Sequence, residues 1–173
     1  MLKPLCMIAM ATFLAACAPA PDPRVQALED RARIEELLME YYGSLGTSSH
    51  DFAKYFTADA LLDVNGQVAH NHEGIEGIYK STAERTGVRE GTFRMVLTNL
   101  RVQVDGDKAT ASMIWTGVHS RSVTAAPQVA EQGTEQDELV KVDGRWLFSK
   151  RIVTSDGGMP EALLPDYLKR TQH

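Results

Sequence analysis

Cysteine is almost missing from this sequence: its 173 residues hold two, Cys6 and Cys17. That is too few for a disulfide framework or a Cys-rich zinc site. Basic residues are outnumbered, 18 Lys and Arg against 23 Asp and Glu. The resulting formal charge of -5 lacks the positive field that holds a polyanion, so nucleic acid is not an expected partner. No apolar run reaches the roughly 20 residues that cross a bilayer. A Gly-rich phosphate loop, a nucleophile elbow and a cysteine nucleophile are also missing, which leaves nucleotide cofactors and acyl-enzyme chemistry without support; no cofactor is expected. What remains is ordinary. At 43% hydrophobic and 24% charged residues, disorder over the whole chain and collagen-like repeats are excluded. The length fits one domain.

The N-terminus reads as an address. Lys3 precedes an apolar stretch from Leu5 to Leu14, and Leu14-Ala15-Ala16-Cys17 closes it with small residues before a cysteine. This order resembles a bacterial lipobox, in which Cys17 is acylated and becomes the mature N-terminus. The alternative is an ordinary secretory signal cleaved nearby. Either way the protein is exported. With no acidic residue directly after Cys17, the expected location is the outer membrane or cell envelope, facing the periplasm, with lipid as the only membrane contact. Residues 1–16 are then leader, and 17–24 (CAPAPDPR) a Pro-rich extended tether. Residues 25–156 form one domain, and 157–173 a tail or terminal helix.

Hydrophobic periodicity predicts a helix from Val25 to about Ser44, with Leu28, Ile34, Leu37, Leu38 and Tyr41 on one stripe. A short helix follows over Ser49–Phe56, then a strand at Ala60–Val64, the turn pair Asn65-Gly66, a return strand Gln67–His70 and a third helix over Glu73–Thr82. The second half reads as four long strands: Thr92–Val104, Ala109–Val123, Val129–Val142 and Arg145–Thr154. Asp105-Gly106 and Asp143-Gly144 are hairpin turns. Along the first of these strands Val96, Leu100, Val102 and Val104 share a parity. Along the second the odd positions Ala109, Ala111, Met113, Trp115, Gly117 and His119 alternate with even positions that are mostly Thr and Ser, so one face is expected to be buried. Helices followed by a meander of strands make an α+β fold, with a curved antiparallel sheet around helices and a cone-shaped pocket between them.

The strings DRARIEELLMEYY, FAKYFTADALLDVNG, HEGIEGI, TNLRVQVDGDKATA and DELVKVDGRWLFSKR span most of residues 28–154. In that order they resemble the SnoaL-like, scytalone dehydratase-like branch of the nuclear transport factor 2-like superfamily. The resemblance implies a cystatin-like fold with a deep apolar pocket, a homodimer, and a small hydrophobic ligand or substrate. Its members include cofactor-free lyases and isomerases and also non-catalytic proteins.

It also implies a Tyr from the first helix, an Asp after it, and two His in the pocket. Tyr41 stands at the Tyr position with Tyr42 beside it; a phenol there either donates to a ligand oxygen or simply packs. Asp51 lies a little past the expected Asp, where Gly46 falls. His72 sits near the first His, and a neutral imidazole can move a proton. His70 and His72 form an HxH pair that at strand spacing would share a face; with no third ligand at a recognisable spacing, no metal is expected. Met95 stands where the second His would be, and His119, on the parity of Met113 and Trp115, is its possible substitute. Asp63, between Leu62 and Val64, would act as a base if it faced an apolar cavity. Asn99 after Thr98, with Trp115, Tyr42 and Met95, is a ligand-contact candidate. Glu131, Glu135 and Asp137 share a parity and read as a solvated rim.

Two functions therefore stand: a cofactor-free lyase or isomerase of dehydratase type acting on a small cyclic molecule, or an exported module that binds one. The leader gives a first test. In a bacterial host the protein should partition into the detergent phase and carry lipid mass on Cys17; Cys17→Ser should move it to the aqueous phase.

Overall fold

The computed structural model describes residues 22–44, 51–86 and 91–157. Cys17, Gly46 and the expected terminal helix lie outside them. Helix α1 spans Pro23–Gly43. The Asp22 carboxylate accepts from the Arg24 amide at 2.8 Å, and Pro23 occupies the first turn, where its missing N–H costs nothing. Among the described residues of the expected second helix there is a 3-10 turn, Ala53–Tyr55, and strand β1 already begins at Phe56 and runs to Val64. Strand β2 (Gln67–His70) leads into α2 (Asn71–Thr86), followed by β3 (Thr92–Asp105), β4 (Lys108–Ser120), β5 (Gln128–Val142) and β6 (Arg145–Gly157).

The six strands form one curved sheet in the order β2-β1-β6-β5-β4-β3. It is not wholly antiparallel: β1 runs parallel to β6, so the long chain return from β1 to β6 closes the middle of the sheet. Residues Val102, Ala111, Asp137, Arg151, Leu62 and Ala69 sit opposite one another in register across all six strands. Ile34, Leu38, Tyr41 and Tyr42 of α1 and Ile75 of α2 pack into the same core as Leu62, Ala111, Met113 and Phe148.

Turn chemistry follows the sequence closely. Asn65-Gly66 and Asp143-Gly144 have positive φ at both positions, the geometry that matches strand twist. The β3–β4 loop is one residue later than expected: Asp105 pairs with Lys108, and Gly106 takes the first central position with φ 58°. Gly133 answers a packing demand. A Cβ there would lie 2.1 Å from the Thr154 carbonyl oxygen and 2.4 Å from the Trp115 ring.

Two strands depart from simple alternation. In β3 the register shifts between Thr98 and Arg101, and Asn99 takes φ 54°. This bulge flips the parity, so Met95 and Leu97 pack on the core before it and Leu100, Val102 and Val104 after it, while Val96 is exposed. In β6 the register against β5 shifts around Ser149: Leu139 faces Phe148, but Glu138 faces Lys150. Trp146 and Phe148 point inward before that shift, and Arg151 and Ser155 after it.

Trp146 is bound into the core by Asp30 of α1. Asp30 is 2% exposed and accepts from Trp146 Nε1 at 3.1 Å, Lys141 Nζ at 2.6 Å and Gln26 Nε2 at 3.1 Å. Burial opposes its ionisation, but these bonds outweigh it and hold the carboxyl below its usual range. The stability this gives is present at neutral pH and is lost as pH falls through the depressed pKa. Asp30→Ala should lower the unfolding free energy by roughly 3 kcal/mol at pH 7, since a buried cation and an indole N–H lose their acceptor. Urea titration should show that deficit shrinking in acid.

Candidate active site

Beneath α1, the centre of the inner sheet face carries charge where an all-apolar core would be expected. Glu135 and Asp137 on β5 and Arg151 on β6 are 1%, 3% and 2% exposed. Their positions follow from period-2 geometry: Glu135 and Asp137 alternate with exposed Thr134, Gln136 and Glu138, and Asp137 faces Arg151 directly. Arg151 Nη2 donates to Glu135 Oε2 and to the Tyr42 hydroxyl oxygen, each at 2.7 Å, and the Tyr42 hydroxyl donates to the same Glu135 oxygen. The guanidinium carbon lies 3.9 Å from the Tyr41 ring centroid. The Tyr41 hydroxyl bonds that of Tyr79 from α2, and the Tyr79 ring stacks on Phe52 at 3.6 Å. Tyr79 and Phe52 are half-buried and close the cluster on its outer side.

Among the described residues Arg151 Nε and Nη1 have no hydrogen-bond partner, while the Asp137 carboxyl hydrogen-bonds the Glu135 carboxyl only when one of the two carries a proton. Buried polar groups are normally satisfied, so the cluster is unusual for a protein core. The electrostatics separate the two acids. Burial, reinforced by the negative charge of Glu135 and only partly offset by Arg151, pushes the Asp137 carboxyl well above its ordinary value. Glu135 is instead ion-paired to Arg151. The result is an acid whose pKa is pushed up beside a second acid paired to a guanidinium that keeps spare donors. Burial also raises the Tyr41 and Tyr42 phenols well above their usual range, against the opposing pull of Arg151. They are hydrogen-bonding groups, not phenolates.

The structure sorts the residues singled out from sequence. Tyr41 and Tyr42 are in the cluster, and Trp115 and Met95 belong to the core around it. Trp115 has its indole N–H on the Thr134 carbonyl at 3.2 Å. The histidines do not join them. His70 ends β2 exposed, and Asn71, with φ 59°, turns the chain into α2 before His72, so the pair has no common strand face. His72 is tied through Nε2 to the Phe56 carbonyl at 3.0 Å. His119 has the inward parity of β4 but pairs with Phe93 and Gln128. That is six residues, roughly 20 Å of strand, from Met113 beside Glu135. Asp63 has the parity opposite to core-facing Leu62 and accepts the Gly66 amide at 2.6 Å, a turn role. Asp51 is exposed, and Asn99 is exposed at the β3 bulge. Glu135 and Asp137, expected at a solvated rim, are instead the heart of the cluster. Arg151 and Tyr79 were not anticipated.

Two open grooves, of about 410 and 300 Å³, flank the cluster: one at Arg101, Gln103 and Lys150, with Asp137 among its lining residues, the other beside α1 at Arg33, Lys54 and Arg145. On the concave side, where an open cone was expected, the rings of Tyr41, Phe52 and Tyr79 pack together. Among the described residues no group of His, Cys, Asp and Glu could hold a metal ion, and no helix is long and apolar enough to cross a membrane.

The raised Asp137 pKa makes a signed prediction. The native state keeps this proton where the unfolded chain gives it up, so the contribution is favourable in acid and is lost as pH rises through the folded pKa. Asp137→Asn, neutral at every pH, should gain stability relative to the wild type as pH rises above the ordinary carboxylate range of about 4. Chemical denaturation of both proteins across that range measures the slope.

Among solved structures, a Mycobacterium tuberculosis protein of unknown function is 25% identical, with a TM-score of 0.65 over 78% of this chain and 76% of its own. A nuclear transport factor 2-like protein with a cystatin-like fold from Novosphingobium aromaticivorans is 21% identical, with a TM-score of 0.65 over 82% and 92%. A candidate scytalone dehydratase from the same organism is 20% identical, with a TM-score of 0.62 over 78% and 89%. The latter two show the fold alone. No curated protein matches the chain. The SnoaL-like domain model matches residues 26–152, so the chain belongs to the SnoaL-like family.

Proposed function

We propose that this protein is a cofactor-free enzyme of isomerase or dehydratase type, acting on a small, largely apolar molecule that carries an oxygen function. The observation that carries this reading is the buried Glu135–Asp137–Arg151 cluster, two adjacent acids beside a guanidinium with two N–H groups unpartnered among the described residues. Two acids held in different protonation states beside one another supply a base and an acid at the same pH. Glu135 Oε1 would take a proton from a carbon next to a carbonyl. The electron pair moves to the carbonyl oxygen, Asp137 delivers its proton there, and the spare N–H groups of Arg151 stabilise the charge as it develops. The enol then returns its hydroxyl proton to Asp137 while the Glu135 proton goes to another carbon (isomerisation) or to a β-hydroxyl that leaves as water (dehydration), which restores both acids. Tyr41 and Tyr42 hold the guanidinium and the carboxylate in place, through the Tyr41 ring face and the Tyr42 hydroxyl.

The histidines are left out of this scheme, since His72 is engaged with a backbone carbonyl and His119 lies far along its strand. One observation favours a carrier instead: the rings of Tyr79 and Phe52 shut the cluster off, an arrangement that suits retention of a ligand. The lipobox-like leader adds a location to either reading, an exported chain anchored through lipid on Cys17, and the family likeness adds a homodimer.

The test is a screen of hydroxylated cyclic ketones followed by kinetics on the best substrate. Asp137→Asn keeps the neutral, planar shape of the acid but cannot give up a proton in the same way. It should lower kcat by about 100-fold or more and remove one limb of the pH profile, while His72→Ala and His119→Ala keep wild-type turnover. Unchanged kcat in Asp137→Asn would end the proposal, and ligand binding with no turnover in the wild type would favour the carrier.

A further inference from the structure

We infer that Tyr79 is an internal stand-in for the ligand, and that the ligand is a phenol or a comparably hydroxylated aromatic ring that takes its place. This rests on the cluster being the ligand site, but not on its being catalytic.

Tyr79 differs from the other cluster members in where it comes from. Tyr41 and Tyr42 are held by α1, and Glu135, Asp137 and Arg151 by central strands of the sheet. Tyr79 reaches in from α2, which packs chiefly on β1, β2 and the 3-10 turn at the edge of the sheet. Ile75, one turn earlier on the same helix face, is fully buried and fixes α2, whereas Tyr79 itself is half-buried. In this proposal the Tyr79 side chain gives way while Ile75 keeps the helix in its place.

Its contacts are those a bound phenol would make. The ring lies flat against Phe52, with centroids 3.6 Å apart and planes 2° from parallel. The Tyr41 contacts with Tyr42, Phe52, Tyr55, Phe56 and Phe148 are all edge-on, so the flat slot is particular to the Phe52 side. Face-to-face stacking is the less favoured arrangement for two aromatic rings, so a planar guest of suitable electronics can match or better it. The Tyr79 hydroxyl reaches the Tyr41 hydroxyl, whose ring carries Arg151 on its face. A phenol in this slot would place its ring on Phe52 and its oxygen at Tyr41, whose ring lies against the Arg151 guanidinium.

The probes are p-cresol, which is the tyrosine side chain itself, and toluene, which has the same ring and methyl group without the hydroxyl. Binding to the full-length protein is measured by isothermal titration and by amide shifts on a ¹⁵N-labelled sample. The wild type should bind p-cresol and bind toluene about five-fold more weakly, the worth of one neutral hydrogen bond. Tyr79→Phe weakens the internal competitor by that same bond and should bind p-cresol about five-fold more tightly than the wild type. Tyr79→Ala removes the competitor and should bind it more tightly still. Adding Tyr41→Phe to Tyr79→Phe should abolish the preference for p-cresol over toluene.

Equal binding of the two probes to the wild type, or no gain in Tyr79→Phe, would overturn the inference; Tyr79→Phe decides it even where Tyr79→Ala fails to fold. Loss of turnover claims with p-cresol binding intact would remove only the enzyme reading. Ketone turnover that depends on Asp137, without p-cresol binding, would remove only this one.

Discussion

A buried guanidinium constrains most of this structure. Arg151 is buried at the middle of the sheet, and a charge in that position persists only if it is paired and hydrogen-bonded. Glu135 supplies the opposite charge at 2.7 Å, Tyr42 bonds both partners, and Tyr41 lends its ring face at 3.9 Å. Two elements far apart in sequence, the C-terminal end of α1 and the β5–β6 pair, are thereby locked together. Asp137 is then left beside a cation already paired with another acid, which is why burial and the Glu135 charge push its pKa up. The asymmetry between the two acids, on which the proposed chemistry depends, is a consequence of which of them the arginine has taken.

The same logic is repeated, in a fully satisfied form, at the other end of α1. Asp30 meets Lys141, Trp146 and Gln26 with both carboxylate oxygens occupied. That site has every partner it needs and reads as structural. The contrast gives the central cluster its meaning: two buried polar groupings bracket one helix, one complete in itself and one with spare donors facing the interior. Folding alone would favour completing both or replacing the second with apolar side chains.

Much of the architecture was legible in the amino-acid order because it rests on local physics. Helical spacing of Ile34, Leu38 and Tyr41 defines α1. The Asn-Gly and Asp-Gly pairs define two hairpins, and the alternation from Ala109 to Trp115 defines the buried face of β4. The family strings carried the same information at longer range and led to Tyr41 and Tyr42. The misplaced residues fail for nameable reasons. Asn71 takes a left-handed conformation between His70 and His72, which ends strand spacing there. The bulge at Asn99 turns that side chain outward and inverts the parity of Val96 relative to Val102. Glu135 and Asp137 were read as solvated because carboxylates in isolation avoid the interior, and the partner that reverses this preference lies on another strand.

The sequence by itself determined the elements, their order, the tight turns and the face of each regular stretch, since all of these depend on neighbours within a few residues. Only the tertiary structure decided which charges are buried together. Had β6 kept strict alternation from Trp146 and Phe148, Lys150 would face inward and Arg151 would face solvent. The register shift around Ser149 exchanges them, bringing a guanidinium opposite Asp137 and leaving Lys150 on the outside with Glu138. A shift of one residue in a strand moves every later side chain to the opposite face, and only pairing with the neighbouring strand determines where that shift falls.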